Sequence, residues 1–151
     1  MKRLLSVPVA LVAMYALVWI FSACQKDEPE AVCKNTYENV DALLSEAQGK
    51  WALVSSQSGW TNQTTLIEDN IRIQLAQDQS MIVLKNDSTV QTLQFTITKT
   101  NGVFEYAQRK QSDDRRVLFL SNGEISLCGN NQLRLDNRMV DGPLYVFKKV
   151  D

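Results

Sequence analysis

Histidine does not occur in this chain. Its absence removes every Ser–His and Cys–His nucleophile design, along with the commonest general base. An enzyme built on this sequence would have to work with carboxylates, lysine or tyrosine. The acids present form no convincing pair. Asp113-Asp114 sits beside Arg115-Arg116 as a polar inter-strand loop, and Glu105 alternates with Phe104 and Tyr106, which places it on a solvated face. A glycosidase needs two carboxylates held across a cleft, and no spacing here signals one. A large charge of either sign is also missing, since 16 Lys and Arg stand against 17 Asp and Glu. A mildly acidic chain with scattered bases is a poor polyanion binder, so a nucleic-acid partner is not expected. These absences point away from catalysis and toward binding.

The N-terminus carries the clearest signal. Met1-Lys2-Arg3 is followed by an uncharged run from Leu4 to Ala23. A short basic start and an apolar stretch form a secretory signal. A run of about 20 residues is also long enough to span a bilayer. Pro8, the small residues Ser22-Ala23 and the cysteine that follows favour cleavage. Phe21-Ser22-Ala23-Cys24 resembles the lipobox of bacterial lipoproteins, which implies removal of residues 1–23 and acylation of Cys24. Two or more acyl chains give stable anchoring. The stretch 24–34 reads as a flexible tether, charged, with a proline and no periodicity. Its Lys26-Asp27-Glu28 resembles the export signal of surface lipoproteins of the Bacteroidetes type. That implies an outer-membrane lipoprotein facing the surface, or otherwise the periplasm.

The remainder, 35–151, suits one domain with one core. The spacing of Val40, Leu43, Leu44 and Ala47 predicts a helix over 35–48, started by an Asn35/Glu38 capping box and stopped by Gly49. Beyond Gly49 the period changes to two. Strands are expected at Trp51–Ser55, Ile71–Leu75, Met81–Leu84, Leu93–Ile97, Val103–Tyr106, Val117–Leu120, Ile125–Leu127, Leu133–Leu135 and Leu144–Phe147. Asn101-Gly102 and Asn122-Gly123 read as two-residue hairpin turns, with further turns at Asn86-Asp87 and Asp141-Gly142-Pro143. The glycines all fall at junctions of this scheme. These nine short strands at hairpin spacing predict an all-β fold, a barrel or a sandwich, and sequential hairpins without long crossovers predict up-and-down antiparallel connectivity, with a short N-terminal helix ahead of the strands.

Gly49-Lys50-Trp51 is a G-x-W at the handover from helix to first strand, and resembles the lipocalin and calycin signature. The tail from Asn122 to Lys149, with Ile125-Ser126-Leu127-Cys128 and Asp141-Gly142, is similar to small lipocalin-like lipoproteins of the Bacteroidetes type. The resemblance implies an all-β, up-and-down antiparallel lipocalin-like barrel of eight or nine strands over about 48–150. In it Gly49 and Trp51 close one end, and a late basic residue packs on the indole by a cation–π contact. Lys148 and Lys149 are the candidates here, where true lipocalins use arginine.

With Cys24 taken by lipid, Cys33 and Cys128 remain. Outside the cytoplasm such a pair usually oxidises, so a Cys33–Cys128 disulfide is expected, against the alternative of two buried thiols. Two cysteines without histidine make no zinc site, and no metal or cofactor is expected. Asp87-Ser88-Thr89 resembles an O-glycosylation acceptor on a turn. Trp60 lies in the polar loop Ser55–Thr65, of a length that lids a barrel mouth, while Phe104, Tyr106, Phe119 and Tyr145 are placed to line a cavity or to fill it. The functional expectation is a membrane-anchored binding module that takes a small apolar or amphipathic ligand near Trp60. The alternative is an interaction protein, an accessory subunit or inhibitor at the cell envelope, with a filled barrel.

Overall fold

A computed structural model describes residues 33, 36–67, 69–111, 117–129 and 131–150. The signal segment, Cys24, all of the tether but Cys33, and the Asp113–Arg116 loop lie outside the described residues. The described elements are one helix, α1 (Val40–Ala47), and nine strands. These are β1 (Gly49–Gln57), β2 (Thr64–Leu66), β3 (Ile71–Leu75), β4 (Ser80–Lys85), β5 (Ser88–Thr100), β6 (Val103–Gln111), β7 (Asn122–Cys128), β8 (Gln132–Asp136) and β9 (Leu144–Val150). A short 3-10 turn occupies Arg138–Val140.

Strands β1 and β3 to β9 pair antiparallel in chain order, and β9 returns to β1 with Trp51 opposite Lys149 and Leu53 opposite Phe147. Eight strands therefore close into a barrel, which removes the sheet edges. The ninth, β2, is a spur paired to the far end of β1. This is the all-β, up-and-down architecture expected from the two-residue period, and it is compatible with a lipocalin- or calycin-like fold. Register shifts lie opposite or beside Val54, Val90 and Arg109. Each adds a residue to one strand, and such bulges bend and twist the ladder as closure requires.

Alternation decides what fills the barrel. Ile73, Val83, Phe104, Leu133 and Phe147 are fully buried, and Trp51, Leu93, Ile125 and Leu135 nearly so. Their sequence neighbours Arg72, Gln74, Glu105 and Arg134 face outward. The turns follow φ preference. Asn101 (φ 51°) and Gly102 (φ 82°) both take the left-handed values a type I′ turn demands, as do Asn86 (φ 52°) and Asp87 (φ 61°).

Four details differ from the expectation. Helix α1 starts at Val40, not 35, because Asn39 is the cap: its extended backbone lets Oδ1 accept the Ala42 N–H at 2.9 Å. The carbonyls of Tyr37 and Glu38, which an earlier start would commit to the helix, instead accept from Lys99 Nζ at 2.6 and 3.1 Å. Val117–Leu120 is not a strand, for a reason given below. The loop around Trp60 contains β2, whose three residues are all exposed and so carry no alternation to read. Finally, Asn122-Gly123 is not a hairpin turn but the start of β7. Gly123 is required there by close approach, since a Cβ would lie 2.1 Å from the Asp136 carbonyl oxygen. Gly49 likewise opens β1, at φ 120°. Gly123 thus lies within a strand, while Gly49 stands at the expected junction, directly after the Gln48 cap of α1.

Candidate functional site

The two ends of the barrel differ. At the first, the buried Leu43, Leu44 and Ala47 of α1 cover the opening. Trp51 is 1 % exposed, and its indole N–H donates to the Ala47 carbonyl at 2.8 Å. Lys149 sets its ammonium 5.3 Å from the indole centroid and donates to the Glu46 carbonyl at 3.1 Å. Both carbonyls belong to the last turn of the helix, where four are left without intrahelical partners and a cation is favoured. The late basic residue is therefore Lys149; Lys148, one step along the strand, is paired with Ala52 instead. The Cys33–Cys128 disulfide (S–S 2.00 Å) pins the segment ahead of α1 to the end of β7. Tyr37 packs edge-on to Phe104 at 6.5 Å. Its phenol is pushed up to about 12 by desolvation, helped by a hydrogen bond to Glu46 and by that carboxylate's charge. A cavity of 280 Å³ remains here between Tyr37, Glu46, Trp51, Cys128 and Lys149.

The second end is the mouth, and the segment expected as a strand at Val117–Leu120 crosses it. Leu118 and Leu120 are 2 % and 3 % exposed, so they plug the barrel rather than extend its wall. The segment has no ladder because the Gln91 side chain replaces one. Its Oε1 accepts the Leu118 N–H at 3.3 Å and its Nε2 donates to the Leu118 carbonyl at 3.4 Å. The next amide, Phe119 N–H, donates to the Tyr145 hydroxyl at 3.0 Å. Buried Asn137 ties the 137–143 turn together: its Oδ1 accepts the Tyr106 hydroxyl at 2.6 Å and its Nδ2 donates to the Pro143 carbonyl at 3.0 Å. Burial raises both phenols, Tyr106 most strongly.

Most of the expected ligand-contacting residues therefore serve the core. Phe104 is fully buried under Tyr37, with the Lys99 ammonium 5.2 Å from its centroid. Tyr106 meets Phe95 edge-on at 5.2 Å, and Tyr145 tilts against Phe147 at 6.2 Å. Phe119 is partly open, and Trp60 is 79 % exposed. Of the five, Trp60 is the most exposed, and it stands beside a rim depression of 270 Å³. Ser88 and Thr89 are exposed at the start of β5. Two residues that matter at the mouth, Gln91 and Asn137, were not singled out from the sequence. Gln91 lies on the inward phase of β5, two before Leu93, and Asn137 continues that of β8 just past its end, two after Leu135; a polar residue on that phase is the signal that finds them.

Compared with known proteins, the chain matches no family model, no curated protein and no solved structure.

Proposed function

We propose that this is a lipid-anchored recognition protein of the bacterial outer membrane, a lipocalin-like domain whose barrel is a filled scaffold and whose binding surface is the mouth-side rim around Trp60. The observation that carries this reading is the plug. Leu118 and Leu120 are buried in the mouth, held by both amide atoms of Gln91, above an interior in which Phe104, Phe147, Leu133 and Ile73 have essentially no exposed surface. Side chains lining a hollow cup would retain area open to a water-sized probe. An apolar cargo would have to displace close-packed groups and strand the Gln91 and Tyr145 hydrogen bonds, each costing on the order of 1–3 kcal/mol. The protein acts by binding, without a cofactor.

Support for the anchor comes from Phe21-Ser22-Ala23-Cys24, and support for the outer surface from Lys26-Asp27-Glu28. Cys24→Ser should release the protein from membranes into the soluble fraction, and retention in the membrane pellet would overturn the anchor. The filled barrel is tested by native mass spectrometry of protein purified from its own cells, with a fluorescent fatty acid titrated in parallel. We expect a bare mass and no saturable uptake. One apolar molecule bound per chain would restore the cup.

A further inference from the structure

Trp60 stands in the open, which is unusual for the largest side chain, normally mostly buried. The six-residue loop from Ser58 to Gln63 is ordered by its own polar groups. Ser58 Oγ accepts the N–H groups of Trp60 and Thr61 at 3.3 and 3.4 Å, and Gln57 Nε2 donates to the Asn62 carbonyl at 3.2 Å. The loop is also pinned to the turn opposite. A Cβ on Gly59 would fall 2.4 Å from the Gly142 carbonyl oxygen, so the two backbones are already in contact. A loop backbone ordered in advance forfeits less freedom on binding.

The floor beside it is polar. Ser56, Ser58, Thr61 and Thr65 bring hydroxyls, Gln63 an amide and Asp141 a carboxylate. Register puts Ser56 opposite both Thr65 and the inward-facing Tyr145, so this face of the hairpin looks over the mouth. Leu66, the other strongly exposed apolar residue of the hairpin (78 %), follows Thr65 and points to the opposite face. Leu66 therefore does not extend the surface around Trp60, and the lining of the depression is mostly polar.

From this we propose that the Trp60 depression is a subsite for a neutral pyranose, a unit of a glycan. This rests on the reading of the rim as the binding surface. A pyranose offers a face of C–H bonds to stack on an indole and an equatorial ring of hydroxyls that need both donors and acceptors. Hydroxyls, amide and carboxylate supply both. The other small-ligand classes fit less well. An anion would meet Asp141 with no lysine or arginine in the lining. A quaternary ammonium calls for a cage of several aromatics, and one is present. An acyl chain needs apolar walls, and beside the indole only Pro143 offers one. At 270 Å³, just under the range of about 300–1,000 Å³ typical of small-molecule pockets, the depression suits one or two rings.

The test uses the full lipoprotein in a non-glycosidic detergent. Glucose, galactose, mannose, N-acetylglucosamine and their 1,4-linked disaccharides are titrated while acrylamide quenching of tryptophan emission is followed. Glucuronate, phosphorylcholine and oleate serve as comparators. The wild-type minus Trp60→Ala difference isolates the exposed indole. We expect at least one neutral sugar to shield Trp60 with affinity in the millimolar range. In saturation-transfer NMR of the sugar, which needs no tryptophan, Trp60→Ala should weaken binding tenfold or more, Trp60→Tyr should retain part of it, and Thr65→Val should cost severalfold with unchanged melting. No shielding by any neutral sugar, or shielding only by a comparator, overturns the saccharide subsite. Stoichiometric oleate uptake insensitive to Trp60→Ala overturns the filled-barrel reading as well, so the two failures are distinguishable.

Discussion

Lys149 stands directly across the β1–β9 ladder from Trp51, its ammonium 5.3 Å from the indole centroid while also donating to the Glu46 carbonyl. One charge thus joins the last strand, the first strand and the C-terminal turn of α1. A cation–π contact is worth about 0.5–2 kcal/mol, and a cation at a helix C-terminus about 0.3–1. Lys149→Met keeps the stem and loses the charge, and should lower unfolding stability by about 1–2 kcal/mol in urea titrations. Lys149→Arg should restore most of it. Trp51→Ala, which also removes the indole hydrogen bond to Ala47, should cost about 3–5 kcal/mol. A Lys149→Met protein as stable as wild type would mean that the lysine merely lies near the ring.

The Cys33–Cys128 bridge closes a loop of sequence separation 95. In the chain-entropy account a loop of that length contributes about 4–5 kcal/mol, and removal of native disulfides typically costs about 2–5. A Cys33→Ala/Cys128→Ala protein should melt at least about 10 °C lower, taking several degrees per kcal/mol for a domain of this size. The loss should appear first as faster amide exchange around α1, which the bridge holds over the barrel. Equal melting with and without reductant would remove the bridge from the list of stabilising features.

Gln91 substitutes for a missing β-ladder at the mouth. Gln91→Leu keeps the volume but strands the N–H and C=O of Leu118 in a buried site, at about 1–3 kcal/mol. Hydrogen exchange should quicken over 117–121 and leave Trp51 and its surroundings protected. A uniform rise across the barrel would show that the plug unfolds only with the whole domain.

Much of this was legible in the sequence for one physical reason. A strand half-buried in a barrel wall must alternate, so Ile71–Leu75 is legible to the residue, whereas closure rather than a sandwich is implied only by the resemblance carried by Gly49-Lys50-Trp51. The Trp51 plug was implied by the resemblance to the lipocalin signature, and the disulfide by the expectation of an exported chain with two cysteines left to pair. Where burial does not alternate, the pattern misleads. Leu118 and Leu120 have strand spacing, yet they are buried as a plug whose partner, Gln91, lies 27 residues away. Thr64–Leu66 is a strand with no buried face. Asn122-Gly123 looks like a turn because the demand on Gly123 comes from the Asp136 carbonyl on the next strand, a contact no local window contains. The same limit applies to the site. Trp60 on a polar loop was visible as a candidate, whereas the choice of Phe104, Tyr106 and Tyr145 between lining and filling depended on three-dimensional packing.

Gly123→Ala tests that contact. A Cβ placed 2.1 Å from the Asp136 carbonyl oxygen, with Asn137 Cα at 3.2 Å, meets backbone rather than a flexible side chain. The β7–β8 pair must then separate, and overpacking of this kind costs about 1–3 kcal/mol or more. Alanine ordinarily stabilises a glycine position in a strand, so destabilisation in denaturant melts is a signed expectation. A neutral or stabilised variant would show that the strands stand farther apart.

The pH response follows from Tyr37. Desolvation, then the hydrogen bond and charge of Glu46, hold its phenol near 12, above the ordinary 10.0. A group whose folded value is raised keeps its proton more readily when folded. Its stabilising contribution is therefore complete below pH 10 and is lost as pH rises from 10 through 12. Tyr106 and Tyr145 are displaced in the same direction by burial, so alkaline unfolding should be cooperative with tyrosinate formation rather than preceded by it. Glu46→Gln removes the nearby negative charge and weakens the acceptor. It should bring one phenol down toward 10 in a tyrosinate absorbance titration, with the other two unchanged. A titration curve identical to wild type would mean that Glu46 does not face the Tyr37 hydroxyl, and the Lys99 bonds to the Tyr37 and Glu38 carbonyls would then hold the pre-helix segment to β5 without a Tyr37–Glu46 contact to α1.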